Sequence, residues 1–281
     1  MINRINSYND SLVSEELSSG TIKSYISEAK RLESYFNANS LKLDQKNMTD
    51  EDKKKTKVAI INYVSEIKDK YKNTTVTNKI IKINKYLKFV GLESMIVKNI
   101  KVQNKTIKES MTKTDFERVM RQAKEKGTSR DVLMLDVFYY TGIRVSELKY
   151  FTVESLKNGY MDVYNKGKYR QVPLVKNLIQ EARSYIKVQD IQSGSILLSR
   201  EGNPLHRSTV FKRIKFLGGQ ARIKKTKAYP HSIRHLFAKN WLAHNNNNVL
   251  QLADLLGHES LDTTRRYTTL SIDEARKTIN F

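Results

Sequence analysis

Residues 160–174 read YMDVYNKGKYRQVPL, and this stretch decides the fold class. Apolar and polar residues alternate through YMDVYN (160–165) and YRQVPL (169–174), with Lys166-Gly167-Lys168 between them. A period of two on both sides of a glycine-containing turn predicts a β-hairpin. Outward from it the period changes. Helical spacing predicts helices over about 114–125 and 129–140 before the hairpin, and over about 176–188, 208–218, 231–243 and 248–256 after it. Asn248 is placed to cap the last of these and Gly257 to stop it. The tail 271–281 reads as a short, partly amphipathic helix. The expected fold class is mostly α with a small antiparallel β-sheet.

The first hundred residues also read as helices. Ile22, Tyr25, Ile26, Ala29, Leu32, Tyr35 and Phe36 share one face of 21–37. Thr49-Asp50-Glu51-Asp52 is an acidic helix start, with Val58, Ile61, Tyr63, Val64 and Ile67 as the expected buried side. Thr74 or Thr77 could cap a third helix running to Val90, where Ile80, Ile83, Leu87 and Val90 face the core. Lys79, Lys82, Lys85 and Lys88 then sweep across part of the opposite surface. Residues 92–112 lose periodicity, which suggests an interdomain linker. The expected organisation is a helical domain over 1–95, a linker over 96–112 and a second domain over 113–281.

Composition narrows the function. The chain has 281 residues, 51 Lys and Arg against 29 Asp and Glu, a net charge of +22 and no cysteine. Thiol catalysis, disulfide scaffolds and Cys-ligated zinc are excluded together. The opening MINRINSYND lacks the layout of a signal peptide, and the most apolar run, VLMLDVFYY (132–140), is short and broken by Asp136, so a cytoplasmic protein with no membrane span is expected. A charge of this size implies a polyanionic partner. No acid lies between Asp69 and Glu93 or between Glu201 and Asp254. Interleaved carboxylates would cancel the field that draws in phosphates, so both stretches are candidate nucleic-acid surfaces. The first contributes Lys79, Lys82, Lys85 and Lys88, and the second Arg207, Lys212, Arg213, Lys215, Lys224, Lys225 and Lys227.

Neither GxxxxGK[ST] nor GxGxxG occurs, and no compact acidic cluster suggests a two-metal nuclease. Phosphate chemistry here would therefore rest on side-chain cations and a protein nucleophile. Four segments converge on it. TGIRVSEL (141–148) sets Arg144 after a helix end and a glycine turn. NKGKYRQVPL (165–174) presents Lys166 at the hairpin tip. PHSIRH (230–235) spaces His231 and Arg234 by three at a helix start, so both project on one side. LGHESLDTTRRY (256–267) carries His258 and, nine residues later, Tyr267.

In this order and spacing the residues resemble the signature of the tyrosine recombinase (phage integrase) family: Arg, Lys, His-x-x-Arg, His or Trp, then Tyr. Arg144, Lys166, His231 with Arg234, His258 and Tyr267 fill every position, and the close likeness covers roughly 113–270. The helical half fits the family's core-binding domain by position, length and charge. The resemblance implies a two-domain DNA clamp. Tyr267 would attack a phosphodiester to form a 3′-phosphotyrosyl link, with Arg144 and Arg234 on the non-bridging oxygens and His258 as a third donor. His231 would accept the phenol proton, and Lys166, with Lys168 as alternative, would protonate the departing 5′ oxygen. Resealing would then need neither metal nor ATP, and no cofactor is expected. Expected partners are double-stranded DNA at specific sites and further copies of the chain, as a homo-tetramer on two sites with the C-terminal tail docking on a neighbour. The compact length fits Xer-like or mobile-element recombinases. A type IB topoisomerase and a catalytically silent DNA-binding module on the same scaffold are the competing readings.

Overall fold

The structure, a computed structural model, describes residues 2–41, 43, 48–100, 109–165, 167–258, 261 and 264. The chain divides into two compact units, Met1–Lys105 and Thr106–Phe281.

Among its described residues the first unit holds the helices α1 (Ile2–Ser14), α2 (Ser19–Ala38), α3 (Asp50–Lys70) and α4 (Asn73–Phe89). Helix α1 has no counterpart among the helices expected from sequence, and its run INRINSYNDSLVS is rich in polar residues. Ile5, Tyr8 and Leu12 nonetheless recur at helical spacing and are buried. They join Leu32, Phe36, Ile60, Ile80, Ile83, Tyr86 and Leu87 in one core. Thr49 caps α3 through a reciprocal pair with Asp52. Val58 and Ile61 are exposed rather than buried; Thr56, Ala59 and Ile60 take the core side of α3 with Tyr63, Val64 and Ile67. Helix α4 begins at Asn73 without a side-chain cap, so neither Thr74 nor Thr77 serves as one. Two glutamates on α2 are buried: Glu28 binds Lys79 at 2.7 Å, and Glu33 accepts from the Tyr86 hydroxyl and from Arg4 at 3.2 Å. Of the stretch expected as linker, Leu92 and Met95 are buried in this unit and the Asn84 side chain binds both backbone groups of Val97.

The second unit contains α5 (Lys113–Lys126), α6 (Ser129–Thr141), α7 (Val153–Asn158), β1 (Tyr160–Asn165), β2 (Lys168–Pro173), α8 (Lys176–Gln189), α9 (Arg207–Gln220), α10 (Pro230–His244) and α11 (Val249–Leu256). Thr112, Thr128 and Thr152 each cap the following helix with a reciprocal bond from the residue three further on. The apolar run of α6 supplies Leu133, Met134, Leu135, Val137 and Phe138 to the core, where Met161, Val163 and Val172 of the hairpin also sit. Strands β1 and β2 are antiparallel, with Val163 opposite Arg170 and Tyr164 opposite Tyr169. Gly142 ends α6 in the left-handed region at φ 60°, and a Cβ there would lie 2.3 Å from Cδ1 of Phe237. Only glycine lets the chain turn at this point against α10. The fold is thus mostly helical, with a two-stranded antiparallel sheet among the described residues. No helix among the described residues is long and apolar enough to cross a membrane.

Candidate active site and nucleic-acid interface

The C-terminal turn of α11 organises the site. A helix end leaves its last carbonyls without intrahelical partners and carries the negative end of the helix dipole, so it favours cations. Three arginines from three distant segments meet it. Arg144, just before the 3-10 turn Val145–Tyr150, donates to Leu256 O at 3.3 Å and Gly257 O at 3.2 Å. Arg234, on the first turns of α10 and 1% exposed, donates to Leu256 O at 2.8 Å and Gly142 O at 2.7 Å. Arg170, on β2, donates through Nε to Leu255 O at 3.0 Å. Gly257 closes the turn at φ 63°, and a Cβ there would lie 2.9 Å from Nη1 of Arg170.

Glu147 holds two of these arginines. Its carboxylate, 1% exposed, accepts from Nη1 and Nη2 of Arg170 at 3.2 and 2.8 Å, from Nη1 and the backbone N–H of Arg144 at 3.0 and 2.8 Å, and from Asn165 at 3.0 Å. Burial by itself would raise the pKa of this group. The Arg170 fork, then the Arg144 amide and Asn165, outweigh it and hold Glu147 down at about 2. Neither Glu147 nor Arg170 was identified as a site residue from sequence. A signal for Arg170 existed: the hairpin's alternation places it on the face of Val163 and Val172, where an unpaired cation would be costly.

His258 follows Gly257 and sits 3.0 Å from Nη2 of Arg234 through Nε2, with Nδ1 2.7 Å from Thr264 Oγ1. Burial, then the cations Arg234 and Arg144, push its pKa down to about 3, so the ring is neutral at pH 7. Facing a guanidinium, Nε2 is the acceptor and Nδ1 carries the proton toward Thr264. In this arrangement the histidine helps to hold Arg234. His231 is exposed at the start of α10, edge-on to His235 at 5.1 Å. Two cavities share Arg144 and Ser146. One, of about 320 Å³, is lined by Arg144, Arg207, Phe211, His231 and Arg234. The other, of about 620 Å³, is lined by Arg144, Asn165, Lys168, Tyr169, Arg170 and His258. Lys166 and Tyr267 lie outside the described residues, as does the tail 271–281.

The surface cations divide sharply. Lys79, expected on the phosphate-facing surface, is buried: its ammonium binds Glu28 at 2.7 Å and lies over the Tyr71 ring. Arg213 forks onto the buried Asp131 at 2.9 and 2.5 Å, and Lys227 is half-buried against Asp115 at 3.3 Å. These three are structural ion pairs. Lys85 pairs with Glu15 at 2.5 Å and the exposed Lys224 with Glu109 at 3.1 Å. Lys88, Lys212, Lys215 and Lys225 are exposed, as is Arg207 beside Phe211. Lys82 lines a hydroxyl-rich cleft between α2 and α4 with Ser24, Ser27, Arg31, Thr75 and Asn78.

Arginines from a loop, a strand and a helix thus gather with a histidine at one helix end, an arrangement suited to holding an anion. The profile of the phage integrase family matches residues 92–274, and the chain belongs to that family, the tyrosine recombinases. Among characterised relatives, tyrosine recombinase XerD of Staphylococcus aureus is 36% identical over 160 residues, covering 54% of this chain and 54% of the relative. The XerD of Staphylococcus saprophyticus is 35% identical over the same extent. The chain therefore matches about half the length of these relatives. Among solved structures, a lambda integrase dimer (residues 75–356) bound to a COC′ core site superposes with a TM-score of 0.74 at 16% identity, over 96% of this chain and 95% of that one. The Tn1549 transposon integrase in complex with circular intermediate DNA gives 0.70 at 18% identity, over 99% of both. XerA recombinase gives 0.54 at 23% identity, over 98% and 95%. At these identities the likeness to solved structures is one of fold.

Proposed function

We propose that the protein is a site-specific DNA recombinase that cleaves and rejoins DNA strands through a 3′-phosphotyrosyl intermediate on Tyr267. The observation that carries this reading is the gathering of Arg144, His231 and Arg234 around one basic cavity, with His258 bonded to Arg234 from a third segment. A phosphodiester resists attack because it is anionic and its alkoxide leaves poorly. Arg144 and Arg234 bind the non-bridging oxygens and offset the charge that builds as phosphorus becomes pentavalent. The phenol oxygen of Tyr267 forms the new P–O bond while the P–O5′ bond breaks. His231 takes the phenol proton and Lys166 supplies one to the 5′ oxygen, with Lys168 able to replace it. A tyrosine of ordinary pKa, about 10, needs such help at neutral pH. The phosphotyrosyl bond conserves the energy of the broken linkage, so rejoining to a second 5′ hydroxyl calls for neither nucleotide nor metal.

The reading extends to double-stranded DNA as partner, to a homo-tetramer acting on two sites and to a cytoplasmic location. In it, residues 1–95 form the core-binding domain, 96–112 the linker and 113–281 the catalytic domain with a tail for subunit contacts. The DNA-bound integrases of similar fold and the Xer relatives support this assignment, as does the cleft at Lys82 and the exposed Lys212, Lys215 and Lys225. Integration or excision of a mobile element and resolution of chromosome dimers are both within this chemistry. The test is a nicked duplex carrying the cognate site, mapped first by footprinting on genomic DNA. A protein–DNA adduct that survives SDS is expected from the wild type and not from Tyr267→Phe. No adduct from the wild type, or one from the variant, overturns the proposal.

A further inference from the structure

We infer that the outer face of the β1–β2 hairpin is a stacking platform for unpaired bases of single-stranded DNA. Along this face Tyr164 and Tyr169 are direct cross-strand partners, with ring centroids 5.0 Å apart and planes at 44°. Tyr150 extends the row, 6.4 Å from Tyr164. Tyr164 is 61% exposed and Tyr169 51%, so broad ring surface faces solvent on a ribbon that keeps Met161, Val163 and Val172 inside. Two of the rings are tied down. Tyr169 donates its hydroxyl to Asp162 at 2.5 Å, and Tyr150 donates to the Tyr164 carbonyl at 2.8 Å. Aromatic planes held this way lose little further freedom when a base stacks on them.

Charge and position identify the occupant. Lys149 sits over the Tyr150 ring at 4.9 Å, and Lys168 is exposed beside Tyr169. The row thus has an ammonium at its Tyr150 end for a phosphate backbone, while Lys168, one residue before Tyr169 on β2, alternates to the other face of the hairpin. The one carboxylate within this group of contacts, Asp162, is occupied by Tyr169 and, at 3.4 Å, by Gln171. Lys168 and Tyr169 also line the cavity that contains Arg144 and His258, so the row runs directly into the candidate active site. Aromatic rings flanked by cations bind single strands because an unpaired base has a free π-face, whereas a duplex base is already stacked on its neighbours. The inference deepens the proposed function and rests on it for its purpose: cleavage frees a 5′-hydroxyl end near the hairpin, and that end must unpair before it joins a new partner.

A cross-strand tyrosine pair also stabilises a hairpin, so the test must separate the two roles. Full-length protein is titrated with a labelled single strand of mixed sequence, about 12 nucleotides long, and with a duplex of the same length, at matched salt. Tyr164→Val with Tyr169→Val keeps strand-forming residues but removes both rings. It is expected to weaken single-strand binding at least about fivefold and to leave duplex binding within about twofold, whereas Phe at both positions retains single-strand affinity. A single strand carrying 5-iododeoxyuridine should cross-link, under long-wave ultraviolet light, to the peptides containing Tyr164 or Tyr169. Unchanged single-strand affinity in the double Val variant, or equal loss for single strand and duplex, overturns the inference. Because binding is read without strand cleavage, a wild type that binds single strands but forms no adduct retains this inference and loses the proposed function.

Discussion

Arg170 and Glu147 form a two-point ion pair, with Nη1 and Nη2 at 3.2 and 2.8 Å from the carboxylate oxygens and side-chain exposures of 12% and 1%. The same guanidinium reaches Leu255 O through Nε, so one side chain ties strand β2 to the Arg144 turn and to the end of α11. Removing one partner of a buried pair strands the other charge, which costs about 3–5 kcal/mol. Arg170→Ala is therefore expected to destabilise the protein by about that amount, read from urea unfolding. Glu147→Gln, which keeps the shape, should cost less yet still slow adduct formation, since Arg144 loses its orienting partner.

The pH dependence of that pair has a definite sign. Glu147 is held at about 2, below the usual carboxylate value, so its contribution is complete above about pH 4.5 and fades as pH falls toward 2. The melting temperatures of wild type and Glu147→Gln should be well separated near about pH 7 and converge as the medium is acidified below about pH 4.5. A gap that stays constant down that range would refute the assignment.

Asp136 gives the opposite slope. Burial first, and then the neighbouring Glu181, raise its pKa to about 7, so folding favours its protonated form and stability falls as pH rises from the ordinary carboxylate range through 7. Asp136→Asn should be more stable than wild type at about pH 8 by on the order of 2 kcal/mol, a rise of several degrees in melting temperature, and similar to it at about pH 4.

Arg144→Ala should abolish most cleavage, by at least about a hundredfold in the rate of adduct formation, while leaving much of the DNA affinity. Gel-shift titration beside single-turnover cleavage separates the two. An equal loss in both would mean that Arg144 serves binding and not the chemical step.

Paired and unpaired cations predict different losses. Lys212→Ala and Lys215→Ala should each lower the slope of log affinity against log salt by about one and leave stability unchanged within about 0.5 kcal/mol. Arg213→Ala, next to Lys212 in sequence, should instead lower stability, because it leaves Asp131 buried and uncompensated.

The contrast between Lys212 and Arg213 shows where the sequence could be read and where it could not. Periodicity located the hairpin and most of the helices, because the period of burial is a local property of the backbone. Helix α1 escaped because its three core residues are spread through polar ones. The acid-free stretches gave no sign of the ion pairs at Lys79, Arg213 and Lys227 for a single reason: Glu28, Asp131 and Asp115, their partners, arrive from far along the chain. Arg144, His231, Arg234 and His258 were legible because helix starts and glycine turns fix where a side chain emerges. Their mutual geometry was not, since it depends on α11 ending where it does.

The turn at Leu255–Gly257 also sets an order of events in the life of the chain. Arg144, Arg170 and Arg234 are synthesised before the carbonyls that aim them, so a nascent polypeptide that has not yet reached residue 257 carries all three cations without their common anchor. Such a chain can cling to nucleic acid by charge while its guanidinium groups point in no concerted direction. Concerted aim of the three guanidinium groups thus waits until the last turn of α11 has left the ribosome and docked, and the proposed nucleophile, Tyr267, is added only after that turn.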